Sequence, residues 1–237
     1  MVRFWVGVSG FSYTSWRGTF YPEDAKPEKL LEAYSTKLNS VEINSSFYHM
    51  PTEKTTAKWE KSTHDNFRFS FKANRRITHI KKLRNATEDT AFFMMALKPL
   101  DEKLGCFLIQ LPPYMKQDYS LLESFLNEKP DSIKVALEFR HESWFTDEVN
   151  RLLEKYNAAL CVADTEDLKP VFQRTADFAY VRLRQDRYSG EDLKMWAERL
   201  SKFAKDTRDC FIYFKHDETG EAAKVAVEFT KMLQNLP

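Results

Sequence analysis

The stretch Phe67-Arg68-Phe69-Ser70-Phe71-Lys72-Ala73 decides the fold. Apolar and polar residues alternate along it, and successive side chains of a β-strand point to opposite faces. The three phenylalanines therefore share one face, while Arg68, Ser70 and Lys72 share the other. An apolar face of this kind must be covered, and the chain on either side supplies the cover. Seven further short apolar runs recur at Phe4–Ser9, Val41–Asn44, Cys106–Leu111, Lys134–Phe139, Ala159–Asp164, Phe178–Leu183 and Cys210–Lys215, with helix-patterned segments between them. That alternation is the signature of repeated βα units and a parallel sheet. Pro27 marks one helix start ahead of Leu30, Leu31 and Tyr34, and Ser189 caps another three residues before Asp192. Leu193, Trp196, Ala197, Leu200, Phe203 and Ala204 then form one buried helical stripe, and Ala222, Val225, Ala226, Phe229, Met232 and Leu233 repeat the pattern.

Eight strand units suit either a barrel or an open doubly wound sheet. No G-x-G-x-x-G or P-loop sequence follows the first strand, which removes the usual mark of the open sheet. The expectation is an α/β fold, a single (β/α)8 TIM barrel occupying residues 1–237 as one domain. A length of 237 residues is close to the roughly 250 typical of such barrels. Composition agrees: 43% hydrophobic and 30% charged residues exclude a disordered or fibrous chain. Lys and Arg total 36 against 35 acidic residues, so the net charge of +1 exerts no global pull on nucleic acid or anionic membrane. The N-terminus runs directly into a strand-like segment with no apolar signal region, and no run is long enough to span a bilayer, which predicts a cytoplasmic protein with no membrane partner. Cys106, Cys161 and Cys210 are odd in number and widely spaced, as expected of buried reduced thiols rather than a disulfide or zinc framework. Oligomeric state is not legible.

Strand parity selects a pocket. Glu42 and Asn44 oppose Val41 and Ile43, and Lys72 lies with Ser70 and Arg68, though Arg68 sits deep in its strand and suits a structural ion pair equally well. Gln110 opposes Ile109 and Leu111, while Glu138 and Arg140 oppose Leu137 and Phe139. Asp164 ends one strand, Arg182 and Arg184 oppose Val181 and Leu183, and Lys215 ends the last strand two residues after Tyr213. In a barrel the C-terminal strand ends carry the active site. An internal ion network that merely satisfies itself is the alternative.

Three carboxylates, Glu42, Glu138 and Asp164, stand among an excess of cations, so a small anionic ligand is the natural inference, a phosphorylated sugar-like molecule being one such candidate. On this reading Glu42, Glu138, Asp164 and Lys72 are catalytic. Asn44, Gln110, Arg140, His141, Arg182 and Lys215 bind substrate, joined from the loops by Tyr13, Trp16, Arg76 and His79. Acid–base chemistry of a hydrolase, lyase or isomerase fits such a set, and Lys72 or Lys215 can instead form a Schiff base. No cofactor is expected, the mechanistic rival being a divalent metal on Glu138, Asp164, His216 and Asp217 without any tight ligand motif. The aromatic loops Gly10–Gly18, Phe20-Tyr21-Pro22 and Phe47-Tyr48 either stack on a ligand or pack down as a lid. The cationic run from Arg75 to Arg84 beside them raises a second reading, a nucleic-acid-binding or abasic-site-processing protein. A non-catalytic ligand sensor is the third.

Several of these motifs are similar to one family. Val41-Glu42-Ile43-Asn44-Ser45-Ser46-Phe47-Tyr48, Phe69-Ser70-Phe71-Lys72 with Arg76-Ile77-Thr78-His79, Gln110-Leu111-Pro112-Pro113 and Glu138-Phe139-Arg140-His141-Glu142-Ser143-Trp144 resemble the YecE-like family, domain of unknown function 72. So do Gly7-Val8-Ser9-Gly10-Phe11-Ser12-Tyr13, Trp16-Arg17-Gly18 and Phe20-Tyr21-Pro22, and the match spans essentially the whole chain. The resemblance implies a barrel but lends no catalytic roles, because the family has no established reaction. Two positions depart from its pattern: Arg184 stands where a His often follows the Arg-Leu pair, and Lys215-His216-Asp217 where Asn-Asn-Asp is common. At the level of fold alone, such a barrel is similar to those of sugar isomerases and apurinic-site endonucleases.

Overall fold

A computed structural model describes residues 2–130, 132–165 and 169–236. The described residues form nine strands, separated by helical segments except between β6, β7 and β8: β1 Arg3–Val8, β2 Ser40–Ile43, β3 Arg68–Lys72, β4 Leu104–Gln110, β5 Lys134–Glu138, β6 Ala159–Leu160, β7 Val162–Asp164, β8 Phe178–Leu183 and β9 Asp209–Phe214. The main helices are α1 Leu30–Ser35, α2 Glu53–Lys61, α3 Thr87–Leu97, α4 Tyr119–Asn127, α5 Asp147–Lys155, α6 Gly190–Phe203 and α7 Glu221–Gln234. The expected run Ala159–Asp164 is divided in two at Cys161, and between Asp164 and Phe178 no helix occurs among the described residues. α6 opens on the capping box read from Ser189, whose hydroxyl accepts from Asp192 N while the Asp192 carboxylate accepts from Ser189 N.

Every strand pair is parallel, in two sheets ordered β1-β9-β8-β7 and β2-β3-β4-β5-β6. The two sheets approach each other at β1 and β2, where side chains replace the backbone ladder. Val6 N donates to Asn39 Oδ1, Asn39 Nδ2 donates to Phe4 O, and the Tyr34 hydroxyl accepts from Val8 N while donating to Ser40 O. Gly7 makes this approach possible, because a Cβ there would lie 1.9 Å from the Ser40 carbonyl oxygen. A single parallel bridge, Ser9 to Glu42, follows at the C-terminal end. At the other junction β6 pairs with β5, one residue intervenes, and β7 pairs with β8.

Parity sorts the core into two layers. Val41, Ile43, Phe69, Phe71, Ile109, Leu137, Val181 and Ile212 pack with the helices in the larger cluster. Trp5, Cys106, Leu108, Ala136, Cys161, Phe178, Tyr180, Phe211 and Tyr213 form a separate cluster on the opposite strand faces. All three cysteines are free and buried, and burial raises each thiol's pKa, so they serve as small apolar side chains. Where β3 shifts register against β4, Ser70 accepts from Cys106 N and from the Tyr213 hydroxyl, so the irregular backbone keeps a partner. Among the described residues no helix is long and apolar enough to cross a membrane.

Candidate functional site

Glu42 near the end of β2, Glu138 at the end of β5 and Arg182 in β8 are drawn together in the interior. Arg182 donates from Nε and Nη2 to the two oxygens of Glu42 at 2.9 Å each, and from Nη1 to Glu138 Oε2 at 2.5 Å. Glu42 also accepts from Ser9 Oγ at 2.7 Å and the Tyr180 hydroxyl at 2.8 Å, while Glu138 accepts from Gln110 Nε2 at 2.8 Å and pairs with Arg140. Both carboxylates are 0% exposed and Arg182 is 2% exposed. Burial opposes their ionisation, but Arg182 with Arg184 holds Glu42 below the usual carboxylate range. Arg182 and Arg140 with the Gln110 hydrogen bond take Glu138 down to about 2. Carboxylates so firmly ionised hold charge and geometry well and accept protons poorly at neutral pH.

Above this layer stand three half-buried cations, Arg140, Arg184 and Lys72. Arg184 donates to Ser9 Oγ at 2.8 Å; burial and then the charge of Arg182 bring its pKa down to about 10. Arg140 Nε and Asn44 Oδ1 are buried without a hydrogen-bond partner among the described residues. Lys72 ends β3, and its Nζ lies 4.2 Å from the centre of the Phe47 ring. Ser46 holds that ring in place: its hydroxyl reaches both Ile43 O and Lys72 O, at 2.7 and 2.6 Å, tying the two strand ends together. Burial, then the charge of Arg182, lower the Lys72 pKa to about 8, against a partial lift from Glu138 and Glu42. His79, on the π-helical turn Arg76–Ile80, meets Phe47 edge-on at 4.9 Å and bonds Thr78 through Nδ1. Burial and the neighbouring charges of Lys72 and Arg75 keep its imidazole more acidic than usual.

Glu42, Glu138, Gln110, Arg140, Arg182, Lys72 and His79 thus gather at one end of the strands, while Asn44, just beyond β2, lines a separate cleft with Phe11 and Trp59. Others stand apart. Asp164 shares the parity of Leu160 and Val162, which pack toward the helices, and it accepts from the Tyr188 hydroxyl at 2.6 Å and from Gln185. Lys215 turns out to pair with Asp186 at the exposed rim. His141 caps the turn Glu142–Trp144 by accepting from Ser143 N, and Trp144 Nε1 donates to Met115 O. Trp16 is fully buried with Nε1 on Asp217 O, while Tyr13 stacks on His216 at 5.1 Å. Arg76 pairs with Asp89 at 2.7 Å. Arg68, at the far end of β3, lies 4.5 Å from the Trp5 ring centre. Tyr180, Ser9 and Ser46 are the participants that polarity alone passed over. Tyr180 could have been found from its shared parity with Arg182.

The residues of the metal alternative do not converge. Glu138 is saturated, Asp164 is held by Tyr188, His216 stacks on Tyr13, and Asp217 caps α7 by accepting from Gly220 N and Ala222 N. Among the described residues no group of three or more His, Cys, Asp or Glu side chains is gathered to hold an ion. Two clefts open elsewhere, and neither is lined by Glu42, Lys72, Glu138, Arg140, Arg182 or Arg184. One, of about 570 Å³, is lined by Phe11, Tyr13, Asn44, Lys58 and Trp59 among others. The second, of about 430 Å³, includes Lys215, His216 and Tyr188.

The family model described as "Protein of unknown function DUF72" matches residues 5–237. The chain belongs to the DUF72 family. A DUF72 family protein of Thermotoga maritima MSB8 has a similar crystal structure, with a TM-score of 0.86, 29% identity and coverage of 98% of this chain and 99% of that one. The UPF0759 protein YunF of Bacillus subtilis is 24% identical over 97% of this chain and 94% of its own length. The UPF0759 protein YecE of Escherichia coli K12 is 31% identical over 48% of this chain and 43% of its own. Beyond DUF72, the D-psicose 3-epimerase of Clostridium cellulolyticum H10 shares the fold at a TM-score of 0.54, with 10% identity and coverage of 97% of this chain and 91% of that one. In this DUF72 chain the family motifs divide in two: Glu42, Lys72, Gln110, Glu138 and Arg140 enter the charged cluster, whereas Trp16, His141 and Trp144 fasten the loops around it.

Proposed function

We propose that the protein is an enzyme acting by acid–base chemistry on a small anionic substrate at the C-terminal ends of its strands. The observation that carries this reading is the charge balance of the cluster. Among the described residues Lys72, Arg140, Arg182 and Arg184 surround two carboxylates, Glu42 and Glu138, and Arg182 already occupies both. Two positive charges are left over, and Arg140 Nε lacks a partner among the described residues. A carboxylate or phosphate group supplies the missing charge and acceptor. Glu42 and Glu138 then act as fixed counter-charges that position Arg182. Lys72, with its pKa lowered to about 8, is the group in this cluster suited to exchange protons near neutral pH.

The two sheets are read as halves of one eight-stranded barrel, β6 and β7 being a single strand interrupted at Cys161 and the β1–β2 seam closing through Asn39, Tyr34 and the Ser9 bridge. The nucleic-acid reading has less support. Within the run Arg75 to Arg84, Arg76 and Lys81 share Asp89 and Arg84 pairs with Asp118, so two of its five positive charges are offset.

Thermal denaturation in graded inorganic phosphate and citrate tests the anion reading. Saturation to a hundred times the dissociation constant adds about 2.7 kcal/mol, and Arg140→Met and Arg184→Met should each abolish most of that gain. An unchanged midpoint with every small anion, or an undiminished gain in both variants, would overturn the proposal.

A further inference from the structure

We infer that Lys72 is a carbonyl-condensing nucleophile, forming a Schiff base with a small aldehyde or ketone that carries a carboxylate or phosphate. The inference rests on the anionic-substrate reading and adds the chemical class of the reacting group.

The geometry separates Lys72 from every other cation of the cluster. Arg182 is locked between Glu42 and Glu138, Arg140 is paired with Glu138, and Arg184 donates to Ser9. Lys72 Nζ has no hydrogen bond or ion pair among the described residues, only the face of Phe47 at 4.2 Å. The carboxylates that would ordinarily keep a buried ammonium protonated are thus spent on a guanidinium. Facing the amine are Arg182 from β8, Arg184 just beyond it, Glu42 from β2 and Glu138 from β5, with His79 on the adjoining turn. Their formal charges cancel, two guanidiniums against two carboxylates beside a neutral imidazole, so burial is the leading cause that lowers the Lys72 pKa. Desolvation against a ring, next to other cations, is how a lysine is made nucleophilic.

The chemistry balances without an added reagent. The neutral amine attacks the carbonyl carbon, a C–N bond forms, and the carbonyl π pair moves to oxygen. A net proton transfer from nitrogen to that oxygen gives the carbinolamine. Loss of the hydroxyl with one proton as water then leaves the C=N bond, so amine plus carbonyl yields imine plus water. His79, tied through Nδ1 to Thr78, is the nearby imidazole whose other ring nitrogen can relay those protons. Arg140 and Arg184 receive the anionic group. Protonated, the imine acidifies the α-carbon, which suits a lyase or isomerase more than a hydrolase.

Reductive trapping tests this. Wild type is incubated at pH 7 to 8 with glyoxylate, pyruvate or dihydroxyacetone phosphate plus sodium cyanoborohydride, and adducts are located by tryptic mapping. Alkylation blocks cleavage at Lys72, so the diagnostic peptide is the uncut segment 69–75. The expected result is labelling of Lys72 at least about tenfold faster than any other lysine at pH 7, given its pKa of about 8 against about 10.4 for a free lysine side chain. Inorganic phosphate should slow it, and Lys72→Arg should abolish it while keeping phosphate-induced stabilisation. If phosphate stabilises the protein but none of the carbonyl probes labels Lys72 preferentially, the Schiff-base inference falls and the anion site stands. If phosphate has no effect either, both fall.

Discussion

Replacing Arg182 with Met removes a guanidinium that contacts two carboxylates at 2.9, 2.9 and 2.5 Å in a region where all three side chains are within 2% of complete burial. Breaking a buried ion pair from one side costs about 3 to 5 kcal/mol, because a charge is stranded without compensation. Here two carboxylates are affected, though neither is wholly abandoned. Glu138 keeps Arg140 and Gln110, and Glu42 keeps Ser9 and Tyr180. A loss near the upper limit, about 5 kcal/mol at pH 7, follows, comparable with the entire stability of many domains. The pH dependence supplies a sharper test. In the native protein both carboxyls titrate below their ordinary values, so their stabilisation is complete above pH 4.5 and is lost as pH falls toward the Glu138 value of about 2. Without Arg182, burial governs and at least one carboxyl titrates above 4.5, so the variant weakens as pH rises through that range. Urea denaturation followed by the fluorescence of the five tryptophans, at pH 4 and pH 7, measures both. The deficit should be several-fold larger at pH 7. A loss under about 1 kcal/mol at pH 7, or one equal at both pH values, would refute the account of the network as ionised and mutually dependent. If Arg182→Met does not accumulate, Arg182→Met/Glu42→Gln/Glu138→Gln should recover folding, because the stranded charges leave with the guanidinium.

Other parts of the structure respond differently. Lys72→Met should be more stable than wild type at pH 7 by about 1 to 2 kcal/mol. The lowering from 10.5 to about 8 corresponds to at most about 3 kcal/mol, reduced for partial exposure, and the advantage should fade as pH climbs from 8 to 10.5. A destabilised variant at pH 7 in urea titration would contradict that sign. Gly7→Ala drives a methyl group into the Ser40 carbonyl at 1.9 Å and should cost more than about 3 kcal/mol or prevent folding. An unaltered thermal midpoint would show that the β1–β2 seam is slack. Ser189→Ala removes the acceptor for Asp192 N at the head of α6 and should cost about 1 kcal/mol, or about 2 to 4 °C in the midpoint for a chain of this size. Calorimetry that finds no change would discount the capping box.

The sequence by itself determined the strands and which face each residue takes, because alternation is a local property with a period of two. Runs read at Phe178–Leu183 and Lys134–Phe139 differ from β8 and β5 by one residue at most. Glu42, Lys72, Glu138 and Arg182 were likewise legible as one inward-facing set, and the three cysteines as buried thiols. Tertiary structure alone decided who meets whom. Glu42 and Arg182 are 140 residues apart, and no local pattern distinguishes the arginine that saturates both carboxylates from Arg140 or Arg184, which stand half-exposed above them. Asp164 was legible only as a strand end; its position two residues beyond Val162 puts it with the helix-facing residues, and Tyr188 then takes its carboxylate. Trp16 and His141 read as possible ligand contacts, yet an indole N–H and an imidazole are equally good fasteners for a loop, and only the approach of Asp217 and Ser143 decides between the two uses. The charge on the run from Arg75 to Arg84 was plain from composition, but the two aspartates that offset part of it come from the start of α3 and the cap of α4. Side-chain direction propagates along the chain, whereas charge pairing is settled across it.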